Sequence, residues 1–244
     1  MPKVCRLSYR QAFACRKKVI MTHTDIYSYV LQLLPFLCAG AAFIYGIIHY
    51  FKKGKALFIQ LVICAMGCMM LRRLFSLVCL LTGTSVSEGF NVGYLGELGC
   101  YQFLFSASYG QMDELVDCRE KSLRKYRLMS LISPVIVAVC YAFILASPLS
   151  IENRIIDGVL TAMMMLSVYY QTKQLIMPDV EFGILKSIRP YNALAIGMTL
   201  ITELGMIFAA YDLAYLLMTV TVMLSAIYLV LIPVLGKGVE KWTI

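Results

Sequence analysis

Seven long apolar stretches dominate the chain, at about Ile26–Phe51, Lys55–Thr82, Phe90–Gln111, Leu128–Ser147, Ile155–Met177, Pro190–Ala210 and Leu213–Leu235. About 20 helical residues cross a bilayer core of roughly 30 Å. Inside lipid, backbone polar groups must be satisfied within a helix or a closed barrel. Runs of this length therefore predict a bundle of membrane-crossing helices. Composition agrees, with 60% hydrophobic and 15% charged residues and a mean hydropathy of +0.77, outside the soluble globular range. The longest internal connection, Met112–Arg127, has sixteen residues, which leaves no room for a separate soluble domain. The expectation is an all-α, polytopic membrane protein with seven transmembrane helices. Its parts are a basic N-terminal tail (1–25), a seven-helix bundle (26–235) and a short tail (236–244).

The fifth stretch is the weakest. Its clean apolar part, Gly158–Tyr170, is followed at once by Gln171, Thr172, Lys173 and Gln174. Ile155–Thr172 gives eighteen residues, the lower edge for a span.

Charge sets the expected orientation. Lys52, Lys53, Lys55, Arg119, Lys121, Arg124, Lys125, Arg127, Lys173, Lys186, Arg189, Lys237 and Lys241 fall on one side of the predicted bundle. The connections on the other side, 83–89, 148–154 and 211–212, contain only Arg154. Thirteen against one in short loops places the C-terminus in the cytoplasm, and seven spans then place the N-terminus outside. The tail conflicts with this, because Lys3, Arg6, Arg10, Arg16, Lys17 and Lys18 resist export. The apolar run after it is too long, and lacks the cleavage site, for a removable signal peptide. Either the tail is exported despite its charge or translation begins at Met21, and the neutral start of the latter resolves the conflict more simply.

The motifs exclude more than they assign. Only His23 and His49 are present, and no HExxH, GxSxG or phosphate-loop pattern occurs, so zinc-hydrolase, serine-hydrolase and nucleotide chemistry are not expected. Asp113, Glu114 and Asp117 form one acidic group without a complement, which is no metal site by itself. The seventh stretch has no Lys for a Schiff base. The nine cysteines are scattered and form no CxxC pair, which reads as apolar packing rather than as a disulfide or metal framework. The basic balance belongs to membrane orientation, not to nucleic acid. No enzyme, cofactor or metal is expected, and the partners expected are membrane lipids and a separate cytoplasmic signalling protein docking on 112–127. Within 112–127, Asp117 with Lys121 and Glu120 with Arg124 stand in the helix-favouring i,i+4 order.

Small residues shape the expected packing. Pro35 and the run Ala39-Gly40-Ala41-Ala42 suit a bend and close helix contact in the first span. Gly89, Gly93, Gly96 and Cys100 form a small-residue face on the third, read as packing on a neighbouring helix. Tyr169 and Tyr170 read as an interfacial aromatic belt.

The remaining signal is charge within the apolar runs. Ionisable groups at membrane depth are costly and mark functional candidates. Arg72 and Arg73 lie in the second stretch, Glu97 in the third and Glu203 in the sixth. Arg73 precedes the centre of the 83–89 connection by thirteen residues and Glu97 follows it by eleven, so at 1.5 Å per residue they share a height. A pair between Glu97 and Arg72 or Arg73 is expected, with Tyr94 and Tyr101 flanking the carboxylate. Glu203 has no basic residue in its own span, and one of the same arginines is its expected partner. Arg72, Arg73, Glu97, Tyr101 and Glu203 are thus the candidate ligand-binding or proton-linked residues. The tripeptide Glu-Leu-Gly recurs at 97–99 and 203–205, but three residues with unaligned flanks do not establish a duplication.

The function these features suggest is a non-enzymatic sensing or interaction module with an outward-facing polar pocket. The alternative is a small transporter or permease component whose substrate or proton path starts at the same pocket. Its localisation is a cell membrane, with compact loops and Cys, Met and Tyr richness pointing to a bacterial inner membrane. Seven spans with this orientation resemble serpentine receptors and bacterial membrane sensor modules, an analogy of organisation only.

Overall fold

A computed structural model describes residues 23–51, 56–82, 90–110, 113, 123–178 and 183–240. The basic tail with the Met21 start, Gly89 and the expected i,i+4 pairs of the 112–127 connection lie outside the described residues.

The described chain is all-helical. Its elements are α1 (His23–Tyr50), α2 (Leu57–Thr82), α3 (Val92–Tyr109), α4 (Arg124–Met129), α5 (Ile132–Leu145), α6 (Ile151–Ile176), α7 (Ile184–Ala210) and α8 (Ala214–Glu240). Five segments are long and apolar enough to cross a membrane: Leu31–Tyr50, Leu57–Thr82, Arg124–Leu145, Leu185–Ala210 and Ala214–Glu240. The other two long helices, α3 and α6, are the less apolar ones. Both turn polar residues inward, including Glu97 and Ser108 of α3 and Asp157, Gln171 and Gln174 of α6.

Contacts run α1–α2–α3–α6–α7–α8 and back to α1, a closed ring of six helices, with α5 outside it against α6 and α7. We call the end where α2 stops and α3 starts the upper end, and the end holding Tyr50, Tyr109 and Ile176 the lower end. At the upper end, the Tyr211 hydroxyl donates to Phe143 O at 3.1 Å, tying α7 to α5. At the lower end, Lys173 pairs with Asp113 at 2.6 Å, and Arg189 donates to Met177 O at 3.1 Å. The outer surface is apolar, with Leu37, Leu71, Val135 and Phe143 all more than half exposed. The interior is a continuous core, including Ile59, Ile63, Met66, Leu104, Ile188 and Leu231.

Helix ends follow local chemistry. The fourth stretch is broken into α4 and α5 at Ser130–Leu131. Pro134 has no amide for the Ser130 carbonyl, and the Ser133 hydroxyl takes that role at 3.3 Å. The α6 helix starts earlier than expected, at Ile151, because Ser150 caps it, its hydroxyl accepting from Asn153 N at 3.3 Å. Its 26 residues bring it within one residue of α7, which has 27. The α7 helix carries Pro190 inside it and starts at Ile184. Residues 236–240, expected to belong to a tail, continue α8 to Glu240. Gly238 explains this, since a Cβ there would lie 2.7 Å from Ser187 O, so only glycine lets α8 keep packing on α7.

The glycine face of α3 packs within the bundle. A Cβ on Gly96 would lie 2.9 Å from Cys68 O, and one on Gly99 would lie 3.2 Å from Cys68 Sγ. Bare backbone there lets α2 and α3 approach closely. Pro35 lies within an uninterrupted α1. Tyr169 and Tyr170 join Phe105 and Tyr109 in one aromatic cluster near the lower end, with ring centroids 5.0–5.7 Å apart.

Candidate functional site

Close approach of α2 and α3 positions the first part of the site. Arg72 Nε donates to Glu97 Oε2 at 3.0 Å, and Arg72 Nη1 donates to Ser76 Oγ one turn above at 2.7 Å. Gly93 makes room for this guanidinium, because a Cβ there would lie 3.2 Å from Nη1. The expected ion pair between the two helices is therefore present, and Arg72 supplies it. A third helix joins through Tyr94, whose hydroxyl donates to Asp157 Oδ1 of α6 at 3.2 Å.

These groups line a cavity of about 320 Å³ in the upper half of the ring. Its polar wall comes from Arg72 and Arg73 of α2, Tyr94 and Glu97 of α3, and Asn153 and Asp157 of α6, with Gln32 of α1 beside them. Its apolar wall is Met206, Leu217, Val220 and Leu224 of α7 and α8. One helical turn lower, Met69, Tyr101, Leu160, Met198 and Tyr228 are fully or almost fully buried and form a floor. Tyr101 fixes it, donating to Thr202 Oγ1 at 3.0 Å across the bundle.

The charges on the wall are not all matched. Arg72 and Glu97 neutralise each other. Arg73 forms no ion pair with any described residue, and its Nε is buried without a hydrogen-bond partner among them; its neighbours are the Tyr228 hydroxyl of the floor, Glu97 and Tyr101. Asp157 is 7% exposed and is held by the neutral Tyr94 hydroxyl, with no ion pair among the described residues. Gln32 Oε1 is likewise buried and unpartnered.

Of the five residues singled out by sequence, Arg72, Arg73 and Glu97 line the cavity together. Tyr101 lies in the floor beneath them. Glu203 is elsewhere. It is wholly buried, is absent from the cavity lining, and has neither carboxylate oxygen hydrogen-bonded to a described residue. Its neighbours are Thr161 and Asp157 of α6, Glu97 of α3, and Cys140 and Tyr141 of α5, at the seam where α5 covers α6 and α7. The expected pairing of Glu203 with Arg72 or Arg73 is therefore not made, because α7 turns Thr202 and not Glu203 toward the ring interior.

Sequence reasoning missed Asp157, Asn153 and Gln32. A polar face was legible on α6, since Asn153, Asp157 and Thr161 recur at helical spacing. Arg154, the lone basic residue of the upper connections, is a clasp, its Nη2 donating to Ser147 O at 2.6 Å while Arg154 O accepts from Tyr141 at 2.7 Å. Among the described residues, no three His, Cys, Asp or Glu side chains are grouped to hold a metal ion. No known family model matches the chain, and no curated protein or solved structure is significantly similar to it.

Proposed function

We propose that the chain is a non-enzymatic sensing module of a cell membrane. In this reading seven helices span the bilayer, the N-terminus is outside and the C-terminus cytoplasmic, and the cavity opens outward to bind a small ligand. The 112–127 connection then faces the cytoplasm, where its charges suit a separate signalling partner. The observation that carries the reading is a charged cavity confined to one half of the bundle and closed below by a packed floor. A binding site of this kind is concave, with an apolar wall and a few convergent polar groups. Unpaired charge at membrane depth is costly unless function retains it. Ligand binding would act on the floor, where the Tyr101–Thr202 bond joins α3 to α7, and so on the relation of those helices at the lower end.

One observation favours a transporter as the second reading. Below the floor, Ser108 Oγ, Gln171 Oε1, Gln174 Oε1 and both polar atoms of the Asn192 side chain are buried without partners among the described residues, and such groups line paths in transporters. The floor separates them from the cavity, which is why sensing comes first.

Cysteine accessibility on intact cells tests the reading. An impermeant maleimide applied outside should label Ala210→Cys, in the cavity wall, above the unsubstituted chain. Lys237→Cys, exposed at the lower end, should stay unlabelled until the cells are opened. The reverse pattern overturns the orientation and with it the outward pocket. Uptake of a bound ligand into vesicles would replace sensing with transport.

A further inference from the structure

We infer that the cavity is built for a small zwitterion, a molecule carrying one anionic group, one primary ammonium and an adjoining apolar part. This rests on the reading of the cavity as a ligand pocket and names what the pocket takes. Its lining contains two cations, Arg72 and Arg73, and two anions, Glu97 and Asp157. The Arg72–Glu97 contact at 3.0 Å removes one of each. What remains is a guanidinium on α2 and a carboxylate on α6, each without an ion pair among the described residues.

The two residual charges sit on different walls. Arg73 neighbours Glu97, Tyr101 and Tyr228 on the floor side, whereas Asp157 neighbours Tyr94, Glu97 and Arg72. A ligand bridging them therefore needs both signs of charge, separated. The hydrogen-bond inventory makes the same demand. Among the described residues, Arg73 Nε is a buried donor lacking an acceptor, and Gln32 Oε1 is a buried acceptor lacking a donor. A carboxylate or phosphate suits a guanidinium fork, which accepts bidentate anions. An ammonium, with three donors and no acceptor, suits a carboxylate and an amide oxygen. The facing wall is mainly apolar, with Met206, Leu217, Val220 and Leu224 beside Thr202 and Thr221, whose hydroxyls donate within their own helices to Met198 O and Leu217 O, and it would take the apolar part. A volume of about 320 Å³ is near the lower limit for ligand pockets, about 300 Å³, and fits a molecule the size of an amino acid.

This chemistry has two sources in a membrane, a free apolar α-amino acid or the headgroup of phosphatidylethanolamine. The second has an entry route. An apolar crevice lined by Phe90, Leu98, Ile156 and Val159 lies between α3 and α6 on the outer surface, and Tyr94 lines both it and the cavity.

The test is calorimetric titration of the purified full-length chain with alanine, valine, leucine, methionine and phenylalanine. Each is compared with its analogues lacking the amino or the carboxylate group, such as 4-methylpentanoate and 3-methylbutylamine for leucine. A parallel arm measures thermal stability in phosphatidylcholine nanodiscs with and without added phosphatidylethanolamine. Binding in either arm is expected, and loss of either charged group should weaken an amino acid about ten- to a hundredfold, as for one charged hydrogen-bond contact. Arg73→Gln should abolish the preference for carboxylate, and Arg73→Lys should retain it. Asp157→Asn should abolish the preference for the ammonium. The two losses must be separable, which a general folding defect would not produce. Binding indifferent to removal of the ammonium overturns the zwitterion. So does no binding in either arm while Ala210→Cys is labelled from outside, and that outcome leaves the outward pocket standing. Failure of the labelling overturns the pocket itself.

Discussion

Glu97 and Glu203 are both buried, both begin a Glu-Leu-Gly tripeptide, and sit in opposite circumstances. The cavity wall gives Glu97 a guanidinium at 3.0 Å and an open space beside it. The α5–α6–α7 seam gives Glu203 no ion pair and no hydrogen bond from any described residue. A buried charge that has a partner is destabilising to disturb, because removing one member strands the other. A carboxyl group without an ion pair leaves no charge uncompensated when it is replaced. The comparison teaches that depth alone does not define a site. The direction in which a helix turns its polar residue decides whether that residue is part of a working wall or an isolated group in a seam.

The largest expected effect lies on the wall. Glu97→Gln should destabilise the protein by about 3 kcal/mol, the low end for a broken buried pair, since a quarter of the Arg72 side chain is exposed to the cavity. Neutralising Arg72 in the same chain should restore part of the loss, read as the unfolding midpoint in detergent. Additive losses would break the comparison, because they would mean the pair contributes nothing as a pair.

Gly96→Ala comes next. Its Cβ would meet the Cys68 carbonyl at 2.9 Å and Arg72 N at 3.1 Å, backbone atoms that cannot step aside. Forcing the helices apart should cost about 1–3 kcal/mol and loosen the Arg72–Glu97 contact with them. If Glu97→Gln then costs as much in the Gly96→Ala background as in the parent, the glycine does not set the wall.

Tyr101→Phe should cost about 1 kcal/mol, the net worth of one hydrogen bond. The Thr202 hydroxyl keeps its bond to Met198 O at 2.8 Å, so no buried donor is stranded. An unchanged midpoint would show that the floor is held by packing alone.

The smallest effect is expected in the seam. Glu203→Gln should shift stability by less than the roughly 1 kcal/mol of one hydrogen bond, because it breaks no ion pair with a described residue and its amide oxygen still faces Thr161. Folding should remain normal in a size-exclusion profile. A loss as large as that of Glu97→Gln would mean that the seam holds a network after all, and the contrast between the two glutamates would collapse.

Much of this architecture is legible in the sequence because its cause is local. A run of about 20 apolar residues is helical in lipid whatever surrounds it, and five such segments are found. Arg72, Arg73 and Glu97 stood out because charge is conspicuous against an apolar background. Asp157 did not, because it sits near the start of a mixed stretch where polar residues look interfacial. The break at Ser130 was encoded in Pro134, yet it was hidden inside an apolar run.

By itself the chain fixed the helices, the height of its charges and the glycines that let α2 and α3 meet. Tertiary structure decided the rest. It chose Arg72 over Arg73 for Glu97, left Arg73 and Asp157 on one cavity without an ion pair among the described residues, and turned Glu203 away into the seam. The physical reason is rotation about a helix axis. Adjacent residues point about 100° apart at 3.6 residues per turn, and only packing against neighbouring helices sets which of them faces the cavity.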